Sequence, residues 1–457
     1  MTKTFLRDAC LAMAMALLVS CGGGSSGGGV AIVVGSHTAT SAPAGSAPGS
    51  ATTQQSLLDR TVSPAGGGSG PGDAGATGTG TGAGGGTSVA GGDDGSGVGS
   101  GGTGVSTADA TGIGSVDGAG SILVNGVRYN TDGAIVALDD VPGLQLGMTA
   151  KVVGPFDTDL TSGNAKRVES SIDLRGPVSA VDAQHASFTI LGTTVTTDEA
   201  TVWADAPGVA DVAAGATLQV WGLPAAPGIL RATRVEVHAS GTPILTGVVQ
   251  NLDIAARRFR IGSYAIDYGQ APVTGGNGGL PFANGVLVRV RANTVGAGLL
   301  VASAVQGWYP PPTATGTALQ LGGVVTDFAG LGSLHVLGIP VDASAAKVSG
   351  GPPQSVGNGV RVIIGGALSN GVLQANTLKI RLVPGTGGQP SFSLTGPIST
   401  FASIADFRIK GQPIDASRPG VIFLNGSAAN LGAQVRVTVE GSRVAGGVLI
   451  ADRVTFQ

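Results

Sequence analysis

From residue 111 to residue 457 the chain repeats one arrangement of apolar and polar positions five times. Each copy opens on Gly before an apolar residue or Pro, at Gly112, Gly176, Gly247, Gly323 and Gly396. An alternating run then leads into a central Gly: Ile122, Val124, Gly126; Phe188, Ile190, Gly192; Phe259, Ile261, Gly262; Leu334, Val336, Gly338; Phe407, Ile409, Gly411. A second run follows directly and ends near Tyr129, Val195, Ile266, Val341 and Ile414. Two alternating runs across a short Gly-bearing connection predict a β-hairpin.

About twenty residues further on, Gly recurs with apolar residues three and five positions later. It does so at Gly147, Gly215, Gly285, Gly359 and Gly432. Gly or Ala closes this run at Gly154, Gly222, Ala292 and Gly366. A last run carries Ala with an apolar residue three positions on, at Ala165, Ala232, Ala302, Ala375 and Ala451. The opening Gly and the later Gly stand 35, 39, 38, 36 and 36 residues apart, and that Gly precedes the Ala by 18, 17, 17, 16 and 19. Several anchors kept in register five times indicate a true repeat.

Period-two alternation turns one face of each strand inward. The predicted fold is all-β: tandem units of about five short strands, each a small OB-like barrel or a tight sandwich, because closure removes adhesive edges. The units span 111–171, 172–240, 243–307, 318–382 and 391–457. Trp308, Tyr309 and Pro310 to Pro312, with the stretch 384–390, mark breaks between units.

The residues before this array have a different character. Residues 1–21 combine Lys3 and Arg7, a short apolar run and Leu18-Val19-Ser20-Cys21, the layout of a secretory signal too short to span a bilayer. The ending resembles the bacterial lipobox, which implies that Cys21 carries lipid and that the chain is anchored to a membrane. Gly22 stands where lipoproteins kept in the inner membrane usually have Asp, which implies the outer membrane in a Gram-negative cell. Residues 22–110 are rich in Gly, Ser, Thr and Ala and contain no Lys, so they are expected to form a disordered tether.

The repeat, written G-x-V…F-x-V-x-G-x-x-V-D…G-x-x-V-x-V-x-G…L-x-A-x-x-V, resembles the bacterial domain-of-unknown-function family 5666. The resemblance covers 111–457 and implies an exported, often lipid-anchored protein. The shared letters serve packing and turns, so no catalytic residue is carried over.

Composition narrows the chemistry. A net charge of −3 offers no general basic face for nucleic acid. With Cys10 in the signal and Cys21 lipidated, none of the 2 cysteines remains as a free thiol. The 4 histidines occupy unrelated positions, so no metal or cofactor is expected. Asn130, Asp267, Asp342 and Asp415 recur just after the second strand, where such residues serve turns by accepting from their own backbone. Asp139, Asp140, Asp157 and Asp159 read as solvated loop charge, and Trp203, Trp221 and Trp308 as core or interface residues.

One constellation points to binding. If Phe259, Ile261, Val288 and Val290 face inward, Arg258, Arg260, Arg289 and Arg291 face outward together, a candidate face for anions. A solvated exterior is the plainer reading of the same four residues. The functional expectation is a non-catalytic, lipid-anchored envelope scaffold or binding module, with envelope polysaccharide or protein as partner. The alternative is an enzyme or anionic-glycan binder using a site between repeats.

Overall fold

The computed structural model describes residues 106–156, 161–274, 282–382 and 392–457. The signal, Cys21, nearly all of the tether span, Asp157 and Asp159, and the stretch 384–390 lie outside them. Among the described residues the chain is all-β, with short 3-10 turns such as Val209–Asp211 as its only helical geometry. The first strand, Ser106–Ala119, begins inside the span read as tether.

Unit 2 shows the common pattern. Its strands Leu174–Asp182, Ser187–Ile190 and Thr193–Thr196 form an antiparallel meander. The third then pairs in parallel with the last, Ile229–Val237. That strand pairs antiparallel with the fourth, Thr217–Ala226, which returns to the first. The same circuit of pairings recurs in unit 5, unit 4 and unit 3. Unit 1 repeats it with its last strand divided into Ser162–Asn164 and Arg167–Ser171. The looser middle segment adds one short strand to each unit, parallel to the last, as in Ile422–Leu424.

The opening Gly has a steric cause. A Cβ on Gly176, Gly323 or Gly396 would press on Ile190, Val336 or Ile409, the inward residue of the second strand. In unit 1 this position is Gly114 rather than Gly112, because Val116 pairs with Val124 as Val178 pairs with Ile190. A similar shift occurs in unit 5. The N–H groups of Gly147, Gly215, Gly285 and Gly359 donate to Val116, Val178, Val249 and Val325, and the matching donor to Ile398 is Gln434, not Gly432. Side chains alternate with period two, so a slip of two residues leaves every face unchanged and is invisible to the pattern.

The units do not follow one another like beads. The first strand of unit 1 runs parallel to the first strand of unit 4, pairing Thr111 with Leu319 and Ile113 with Leu321. Its end meets unit 5. Units 2 and 3 join through their own first strands, with Leu245 opposite Leu174. Buried apolar clusters cross the same boundaries: one links units 1 and 5, another units 2 and 3, and a third surrounds unit 4. Asn125, at φ +56°, fills the gap between Gly114 and Gly322 and donates to the Ile113 carbonyl at 2.8 Å.

Candidate functional site

Where units 1, 2 and 3 meet, the chain buries a carboxylate. Asp173, in the link between units 1 and 2, is fully inaccessible. Its Oδ1 accepts from Arg289 Nη2 at 2.8 Å and Trp308 Nε1 at 2.6 Å. Its Oδ2 accepts from Thr149 Oγ1 at 2.8 Å and the Gly222 N–H at 2.9 Å. Tyr309 completes the junction, its hydroxyl donating to the Thr149 carbonyl and accepting from the Ser171 N–H, both at 3.0 Å. Lys151 Nζ donates to the Pro310 carbonyl. The residues read as punctuation are therefore the seam between units.

This corrects the proposed arginine face. Val288, Val290, Phe259 and Ile261 are buried as alternation requires. Arg289 points to the opposite side of its strand, but neighbouring units cover that side and leave it 3% exposed. Burial alone would lower the Arg289 pKa; the Asp173 carboxylate, with Tyr309, more than offsets this and raises it. Arg291 is held by Asp140 at 2.5 Å and Asp139 at 3.7 Å, two residues read as free loop charge. Arg258 pairs with Asp267 at 3.0 Å, and Arg260 donates to the Ser263 carbonyl. Each guanidinium has its own partner, and the buried Arg289 does not share a solvent-facing surface with Arg258, Arg260 and Arg291.

Asn130, Asp267, Asp342 and Asp415 behave as the sequence suggests. Each accepts from the N–H two residues on, at Asp132, Gly269, Ser344 and Ser417, over 2.8–3.0 Å. Trp203 and Trp221 are buried, and Trp308 belongs to the seam. His185 pairs with Asp182 on the surface at 2.7 Å. Among the described residues no three His, Cys, Asp or Glu side chains converge as metal ligands.

The site that sequence reasoning missed is a cleft of about 1040 Å³ walled by units 2, 3 and 4. Unit 2 supplies the turn 197–199 and the hairpin ending at Ile229 and Arg231; unit 3 supplies Val248 and Leu287; unit 4 supplies Val324, Asp327 and His335. Arg231 is buried and pairs with Asp198. Burial drives its pKa well down, and the nearby charge of Arg361 adds to the fall. His335 Nδ1 lies 3.6 Å from Asp327 Oδ2. Clefts of this size with apolar floors and a few polar groups are the usual form of small-molecule sites. No periodicity marks it, because its walls come from residues as distant in the chain as Thr196 and Gly359.

Comparison with known families agrees with the repeat. Residues 175–236 and 395–455 match the model of the Domain of unknown function (DUF5666). Units 2 and 5 carry the DUF5666 repeat. The DUF5666 matches span the strand circuits of those units, and units 1, 3 and 4 share the circuit in strand order and direction. No curated protein matches the chain.

Proposed function

We propose that this chain is an exported, lipid-anchored and non-catalytic binding protein of the cell envelope, with the cleft between units 2, 3 and 4 as its ligand site. Each unit is read as an OB-like five-stranded barrel. The recurring circuit supports this: a three-strand meander, a parallel pairing of third and last strands, and a return of the fourth to the first. Cys21 is the lipid attachment point and residues 22–105 are the tether that holds the array away from the outer membrane.

The observation that carries the binding reading is the cleft itself, whose walls exist only where three units are packed together. Envelope polysaccharides and proteins are the ligand classes the location suggests. An anionic glycan held by an arginine face is not proposed, since Arg289 is committed to Asp173 and Arg291 to Asp140.

Two measurements test the reading. A metabolic lipid label should enter the wild-type chain and not Cys21→Ala, which should move to the soluble fraction; a Cys21→Ala chain that stays on membranes overturns the anchor. Captured envelope components should be lost from Ala226→Trp, which fills the cleft with an indole. Capture that survives this plug removes the cleft as the site.

A further inference from the structure

The charge distribution around the cleft selects among ligands. Its floor is apolar, from Ile229, Val248, Leu287 and Val324. The ionisable groups lining it are Asp198, Glu199, Asp327, Arg231 and His335. Asp198 is paired with the buried Arg231, so these two charges compensate each other. Glu199, from unit 2, and Asp327, from unit 4, are exposed, and three carboxylates line the cleft against one guanidinium and one imidazole. Ile229 is 39% exposed although its strand neighbours Leu230 and Ala232 are buried, so its own side chain is open to a ligand, while Leu287 and Val324 lie buried behind the surface.

We propose that the cleft takes a small amphiphilic amine: an apolar body on the Ile229, Val248, Leu287 and Val324 floor and a cationic head between Glu199 and Asp327. The proposal rests on the reading of the cleft as a ligand site and adds the sign of the ligand. A carboxylate or phosphate head would add negative charge beside the exposed Glu199 and Asp327. An ammonium head meets complementary charge while its chain leaves water.

The test uses the full chain carrying Cys21→Ser, titrated with hexylammonium, hexanol and hexanoate. Methyl NMR of Ile229, Val248 and Val324 reports occupancy of the cleft, and calorimetry reports affinity. Hexylammonium should bind at least tenfold more tightly than hexanoate, and octylammonium about tenfold more tightly again, as two further buried CH₂ groups require. Glu199→Gln with Asp327→Asn should bring ammonium and carboxylate to within threefold, while Ile229→Ser should weaken all three ligands. If hexanol or hexanoate shifts the cleft methyls and binds as tightly as hexylammonium, the cationic preference is wrong and the cleft remains a ligand site. If none of the three shifts those methyls, the amphiphilic-amine proposal fails, and loss of captured envelope components from Ala226→Trp alone then decides whether the cleft is the ligand site.

Discussion

The carboxylate of Asp173 lies 2.8 Å from the guanidinium of Arg289, 116 positions away, with neither group open to solvent. Two buried charges of this kind cost much desolvation, and removing one leaves the other uncompensated. Asp173→Ala should therefore destabilise the array by about 3–5 kcal/mol. Urea unfolding measures this, and Arg289→Met placed on the Asp173→Ala background should recover part of the loss. A double variant no more stable than Asp173→Ala would mean that Trp308 and Thr149, rather than Arg289, carry the coupling.

Gln434 holds φ +67° at a position where units 1 to 4 have Gly147, Gly215, Gly285 and Gly359. A left-handed backbone costs a residue with a Cβ about 1–2 kcal/mol, and Gly escapes most of it. Gln434→Gly should raise stability by about 1 kcal/mol, seen as a higher unfolding midpoint.

Gly366 lies inside the fourth strand of unit 4, Arg361–Ser369, at a register shift against the last strand rather than at the strand's end. A Cβ there would run into the carbonyl of Gln374, and Ala375 Cα would stand only 2.8 Å away. Gly366→Ala should cost about 1–3 kcal/mol, since the two backbones must part to admit it. Amide exchange should rise first along Arg361–Ser369 and Val372–Leu382.

Asp267 accepts from the Gly269 N–H and pairs with Arg258, and both hold its carboxyl below the ordinary value of 3.8. A depressed folded value means that the stabilisation is complete above 3.8 and disappears as pH falls through the lower folded value. Asp267→Asn keeps an oxygen for the turn, as Asn130 does in unit 1, but loses the charge. The wild type should exceed this variant in stability at about pH 5 and match it near about pH 2. An NMR titration should place the Asp267 midpoint below 3.8.

Much of each unit was legible because local rules suffice there. Alternation located the hairpins, the inward residues Phe188, Ile190, Phe259 and Ile261, and the turn carboxylates Asp267, Asp342 and Asp415. The two-residue slips at Gly114 and Gln434 escaped because alternation reports which face a residue occupies and not how far along the strand it sits. The arginine face failed for a different reason. Outward from one strand is not outward to water, since another unit covers Arg289.

The sequence by itself determined that the array is all-β and built from five like units, since period-two burial and turn glycines act over a few residues. Only the tertiary structure decided which units touch, that Asp173 rather than solvent receives Arg289 and Trp308, and that three units enclose a cleft. Packing between units depends on surface shape and charge brought together across a hundred residues or more, and no short-range pattern records it.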